Sequence, residues 1–265
     1  MIAQRYNIAL LMLLLLPLNC AAGGNTVKIG VAEFPPYSIV ESNRFSGVEV
    51  EIVQQSLEVM GYRVELVNYP YGRLPFSFRS KRVDAIIVTL KNFKDIPVFY
   101  SDIVLPEYQT VAVYLKENNF QIKSISDLQS HSILAHQRAN LFYGDEYKRI
   151  AEQNGHNKQY QETANQLAQV AMLFKKRVDI IVLAHEIFIY YKSRIDLSDS
   201  DSNYVVAKIF GNKFGFHNAV WDKKVRDDFN AGLAIIKTNG LYDKILTKYL
   251  VTYKLNIRKS ESVPN

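Results

Sequence analysis

Short β-branched runs alternate along this chain with stretches whose apolar residues fall at helical spacing. Residues 27–32 predict a strand that ends at Glu33-Phe34-Pro35-Pro36-Tyr37, where two prolines impose a rigid, extended turn. Behind Gly47, the residues Val48, Ile52, Val53 and Leu57 recur at helical spacing, with Gly61 as the stop. Residues 62–67 predict a second strand, and 74–80 a short helix. Further on, 108–115 reads as a strand crossing between lobes and Ile133-Leu134-Ala135 as a buried strand. A helix is expected from Leu141, and another with Leu167, Val170, Ala171 and Phe174 on one face. Residues 204–210 predict a return strand with 214–217 beside it, followed by helices over 222–237 and 240–249.

One phrase occurs twice. Lys81-Arg82-Val83-Asp84-Ala85-Ile86-Ile87-Val88 is echoed by Lys176-Arg177-Val178-Asp179-Ile180-Ile181-Val182. Basic residues suit the last turn of a helix, whose free carbonyls carry partial negative charge. The apolar run after each Val-Asp turn suits a strand buried on both faces, as in a parallel sheet between helices. Two such units predict an α/β protein with two lobes of similar build. Ligands of open α/β sheets bind beyond the carboxyl ends of the strands. The segments Thr89-Leu90-Lys91 and Leu183-Ala184-His185-Glu186 are therefore the first places to look for a site.

Residues 1–22 read as a secretory signal: Arg5, an apolar run too short to span a bilayer, a break at Pro17, and small residues before the cut. A lipoprotein anchored through Cys20 would require a small residue where Asn19 stands. Cys20 is the only cysteine, so the processed chain has no disulfide, thiol nucleophile or cysteine metal site. The net charge of +6 falls by one when Arg5 is removed, and the basic residues are scattered rather than striped. Such a distribution argues against a nucleic-acid partner. No cofactor motif is present: the five histidines lack metal-ligand spacing and no glycine-rich phosphate loop occurs.

The order of these features resembles the bacterial extracellular solute-binding proteins of family 3, the amino-acid-type receptors of ABC importers. Phe34-Pro35-Pro36-Tyr37 ends the first strand, and Gly47-Val48-Glu49-Val50-Glu51-Ile52 resembles the family's Gly-Phe-Asp-Val-Asp helix opening. The two phrases resemble its Gly-Lys-Val-Asp, Phe99-Tyr100-Ser101-Asp102 its Phe-Ser-x-Pro-Tyr, and Ser126-Asp127-Leu128 its Asp-Leu-x-Gly. Residues 237–246 resemble its closing helix pair. The resemblance implies a two-lobed periplasmic-binding-protein type II fold, each lobe a mixed, mostly parallel sheet flanked by helices. It divides the chain into a signal (1–22), the first part of lobe 1 (23–112), lobe 2 (113–207), a return to lobe 1 (208–255) and a polar tail (256–265). It further implies a periplasmic, monomeric receptor that closes on a small polar ligand and serves a membrane permease or sensor.

The chain departs from that family where charge matters. The family's Thr-x-x-Arg, which clamps a carboxylate, reads Thr89-Leu90-Lys91-Asn92 here, and its ammonium-binding aspartate reads Ala184. Lys91 or Lys94 can stand for the arginine, and Glu186 or His185 for the aspartate. A lysine offers a point charge without the planar fork. The family's Gly-Thr or Gly-Ser carboxylate loop reads His136-Gln137-Arg138-Ala139-Asn140, where Arg138 and Asn140 supply charge and donors or Asn140 caps the next helix. Arg73 sits at a helix start, where the dipole disfavours a cation. The expected ligand-binding set is Phe34, Tyr37, Tyr71, Arg73, Thr89, Lys91, Arg138, Asn140, Thr163, His185 and Glu186. An aromatic and cationic set of this kind suits an anionic or aromatic small molecule or a short peptide. The competing readings are an enzyme on the same fold, such as a cyclohexadienyl dehydratase using Glu33, His185, Glu186 or His217, and a cleft given over to a protein partner. A binding protein without catalysis is the expectation.

Overall fold

The computed structural model describes residues 25–42, 44–89, 93–105, 108–195, 203–211 and 215–250. The expected signal segment (1–22), Lys91 and the expected tail (256–265) lie outside the described residues.

The first half of the chain forms β1 (Thr26–Val31), a hairpin of β2 (Ile39–Glu41) and β3 (Arg44–Ser46), α1 (Val48–Glu58), β4 (Arg63–Asn68), α2 (Leu74–Arg79), β5 (Ala85–Thr89) and β6 (Phe99–Tyr100). The second half forms β7 (Thr110–Leu115), β8 (Ile133–His136), α3 (Asp145–His156), β9 (Tyr160–Thr163), α4 (Gln166–Phe174), β10 (Ile180–Ala184), α5 (His185–Lys192) and β11 (Tyr204–Ala207). The chain then closes with β12 (His217–Val220), α6 (Lys223–Thr238) and α7 (Leu241–Tyr249).

Two five-stranded sheets result, in the orders β4-β1-β5-β12-β6 and β9-β8-β10-β7-β11. The orders are equivalent strand for strand. In each, three parallel strands are followed by an antiparallel one, β12 against β5 and β7 against β10. The two repeated phrases thus lead into β5 and β10, the central strands of equivalent sheets. Their shared residues have shared duties. Lys81 and Lys176 both take left-handed backbone, φ 52° and 56°, as the chain leaves a helix. Asp84 accepts the amide of Lys28 at 2.8 Å, while Asp179 accepts the amide and hydroxyl of Ser132 at 2.9 and 2.8 Å. Each aspartate therefore bonds its phrase to the neighbouring parallel strand or its approach.

Three details differ from the sequence expectations. Residues 204–207 form β11 beside β7 in the second sheet, whereas His217 belongs to β12 in the first, so the two segments are not neighbours. Local patterning marks both as strands but cannot assign them to a sheet. The helix expected from Leu141 begins later, at Asp145, because residues 139–141 first make a 3-10 turn. Leu167 is exposed, and α4 instead buries Gln166, Gln169, Val170, Leu173 and Phe174. The cause is Gln169, whose Nε2 donates to the carbonyls of Leu134 and Val182 at 2.8 and 3.1 Å and turns a polar edge of the helix onto the sheet.

Candidate functional site

The turn after β1 and the start of α1 are built as one unit. The amides of Val48 and Glu49 donate to the carbonyls of Pro36 and Tyr37 at 3.1 and 2.9 Å. Gly47 permits this approach: its φ is 114°, and a Cβ there would lie 2.4 Å from the Tyr37 oxygen. Only glycine combines that backbone with that contact. Tyr37 is thereby buried against the helix, and Ser38 Oγ donates to the carbonyl of Ala32 at 2.5 Å.

The carboxyl ends of β1, β5, β8 and β10 converge on one cavity of about 150 Å³, the placement expected for open α/β sheets. The first lobe contributes Phe34, Tyr37, Glu49, Tyr71 and Ile86 among others; the second contributes His136, Arg138, Tyr143, Gln166 and Ala184. Tyr108, ahead of β7, lines it too. The walls are aromatic. Phe34 meets Tyr71 edge to face with centroids 5.0 Å apart, and Tyr108 packs between Tyr37 at 4.4 Å and Phe216 at 4.3 Å. An apolar cavity of roughly 150 Å³ accommodates a benzene-sized molecule, so the space suits one small solute.

The electrostatics of the lining are uneven. Arg138 has left-handed backbone, φ 67°, because its amide and that of Asn140 donate to the two carboxylate oxygens of Glu162 at 2.6 and 3.1 Å. Tyr160 donates to the same carboxylate at 2.7 Å. The loop amides are thus occupied by the protein's own acid, while the Arg138 side chain lines the cavity. Its guanidinium acts on the Tyr71 phenol across the lobes, partly offsetting the rise that burial imposes on that group. Burial lowers the pKa of His136, whose Nδ1 lies 2.8 Å from the Gln137 carbonyl. Glu49 is 2% exposed, and burial holds its carboxyl well above the ordinary carboxylate range. Tyr37 is likewise raised, by burial first and then by Glu186 and Glu49.

Of the residues expected from sequence, Phe34, Tyr37, Tyr71 and Arg138 come together around the cavity, and Ala184 faces it where the family's aspartate is missing. Arg73, Asn140, Thr163, His185 and Glu186 do not line it. Arg73 is exposed in the 3-10 turn before α2. Thr89 pairs by its backbone with His217. Asn140 serves Glu162 through its amide, and Thr163 Oγ1 accepts the Asn165 amide at 3.1 Å in the turn into α4. The His185 amide donates to the Gln109 carbonyl at 2.9 Å, and Glu186 is buried but not among the lining residues. Glu33 and His217 also stand outside it. Sequence reasoning passed over Glu49, Tyr108 and Gln166. The helix-opening motif Gly47-Val48-Glu49-Val50-Glu51-Ile52 is the one signal in the sequence that touches Glu49.

Residues 27–252 match the bacterial extracellular solute-binding proteins, family 3. The chain belongs to that family. Over 230 residues it is 22% identical to a probable histidine-binding protein of Campylobacter jejuni, covering 84% of each chain. Its fold is that of an ancestral arginine-binding protein bound to arginine (TM-score 0.68, 19% identity, 85% of this chain and 98% of that one). It is also that of a histidine kinase sensor domain with similarity to periplasmic binding proteins (TM-score 0.65, 21% identity, 86% and 97%). An ABC uptake transporter substrate-binding protein from Streptococcus pneumoniae with bound histidine shares it as well (TM-score 0.66, 15% identity, 85% and 92%). Family membership accounts for the paired sheets and the cleft between them.

Proposed function

We propose that this protein is a periplasmic receptor that closes its two lobes on one small amphiphilic solute, amino-acid-like or an organic acid, and presents it to a membrane permease or sensor. The observation that carries the reading is the cavity itself. Both lobes line it, its walls are aromatic, and Arg138 brings a guanidinium that makes no ion pair with any described residue. A solute carboxylate at Arg138 would gain a charge-assisted bond. The solute's body would gain the aromatic walls. Closure is the natural motion of two lobes joined by short crossings around such a site. The relatives are binding proteins, one of a probable histidine-binding kind, which supports binding over catalysis.

Thermal unfolding of the processed protein, stripped of carried-over ligand by unfolding and refolding, tests this. The panel is amino acids, aromatic and dicarboxylic acids, polyamines and short peptides. A solute at a hundredfold its Kd stabilises the folded state by about 2.7 kcal/mol. One or more strong shifts are expected; none from any member would overturn the reading in favour of a protein partner.

A further inference from the structure

Resting on that reading, we infer that Glu49 is the cation-binding group of the cavity, and that the solute carries an ammonium on an apolar or aromatic body. Ala184 lines the cavity from the second lobe without a charge, and Glu49 lines it from the first.

Three buried polar atoms at the cavity have no hydrogen-bond partner among the described residues: Glu49 Oε1, Tyr108 OH and Gln166 Nε2. Buried polar groups are nearly always satisfied, so a cluster of exceptions around one space points to a missing molecule. Their chemistry differs. Gln166 Nε2 only donates, Tyr108 OH donates or accepts, and an ionised Glu49 only accepts. Glu49 is also the only carboxyl among the described residues that line the cavity. An isolated buried carboxylate is costly, and a bound cation is what would offset that cost. Tyr37 and Tyr108 line the same cavity, an aromatic surrounding that suits an ammonium.

The turn holds Glu49 in place, since its amide is bonded to the Tyr37 carbonyl and Gly47 allows the close approach. The Glu49 backbone is therefore fixed by the turn at the helix start and not carried on a loop. Tyr37 couples to both Glu49 and Glu186, and Tyr71, Tyr108, His136, Tyr143 and Arg138 complete the titratable surroundings of the cavity. Arg138 is the only permanent positive charge in that set. A solute with both charges would lie with its carboxylate at Arg138 and its ammonium at Glu49. Binding an ammonium ionises Glu49, so the proton held by the empty protein is released to solvent.

The test uses matched probes: L-histidine, L-arginine and L-phenylalanine, the deaminated acids imidazolepropionate and 3-phenylpropionate, and the amines histamine and 2-phenylethylamine. Each is titrated calorimetrically into wild type and Glu49→Gln, in two buffers of different ionisation enthalpy. The expected result is that an amine-bearing probe binds wild type and its deaminated partner binds at least tenfold more weakly. Glu49→Gln should weaken the amine at least tenfold while unfolding, without ligand, no earlier than wild type. The amine's heat should depend on buffer, reporting proton release. If only deaminated acids bind, or if Glu49→Gln binds the amine unchanged, the inference falls and the receptor reading stands. If no probe binds and the wider panel of solutes is also silent, both fall.

Discussion

The carbonyl of Tyr37 accepts the amide of Glu49 at 2.9 Å, joining the strand-end turn of β1 to the first turn of α1. That bond exists because Gly47 brings the two segments into contact at φ 114° and ψ 159°. Replacing Gly47 by alanine would put a Cβ 2.4 Å from the Tyr37 oxygen in a backbone region open almost only to glycine. Gly47→Ala is expected to lower stability by about 1–3 kcal/mol, measured by urea unfolding. It should also weaken solute binding, because the wall formed by Tyr37 and Glu49 must shift. Unchanged stability and affinity would show that the turn is not held as described.

Glu49 gives the empty protein a pH dependence of definite sign. Burial raises its folded pKa above the ordinary 4.5, so between those two values the folded state holds a proton that the unfolded chain releases. Stability from this group is therefore full below pH 4.5 and falls as pH rises toward the folded value. The limiting slope is about 1.4 kcal/mol per pH unit. Glu49→Gln removes the titration, and its stability advantage over wild type should grow from pH 5 to pH 8. Parallel stability curves for the two proteins would contradict this account.

Arg138 separates binding from folding. Its left-handed backbone is one glycine adopts freely, and glycine keeps the amide that Glu162 accepts. Arg138→Gly should stay within about 1 kcal/mol of wild-type stability, because relieved strain and lost chain entropy nearly offset each other. Its affinity for a carboxylate-bearing solute should fall tenfold or more, as losing a charge-assisted bond of about 1.5–3 kcal/mol requires. Equal affinity in the variant would remove Arg138 from the site.

The two phrase aspartates should differ in weight. Asp179 accepts two donors from Ser132 in a partly buried setting, whereas Asp84 accepts one amide, from Lys28, in an exposed one. Asp179→Ala should cost about 1–3 kcal/mol by leaving donors unsatisfied, and Asp84→Ala less. Chemical denaturation of both variants decides it.

Much of the architecture was legible in the chain itself. The repeated phrase, with its basic turn, aspartate and apolar run, marks β5 and β10 because burial on both faces requires continuous apolar residues in the chain. The Phe34-Pro35-Pro36-Tyr37 turn and the Gly47 helix start were legible for the same local reason. The sheet assignment of residues 204–207 and 217–220 was not, since strand partners are chosen by chain closure and not by local pattern.

The site divides in the same way. Sequence alone determined that aromatics and Arg138 stand at strand ends, and that charges usual in the family are absent near Thr89 and at Ala184. Only the tertiary structure decided which acid faces the cavity. Glu49 and Glu51 are two residues apart in one amphipathic helix start, yet Glu49 is buried at the cavity while Glu51 meets Lys248 and Tyr249 on α7. Their fates depend on what packs against each side of α1, and those neighbours come from distant parts of the chain. Helical periodicity records that a face is buried. It does not record whether protein or a ligand completes the burial.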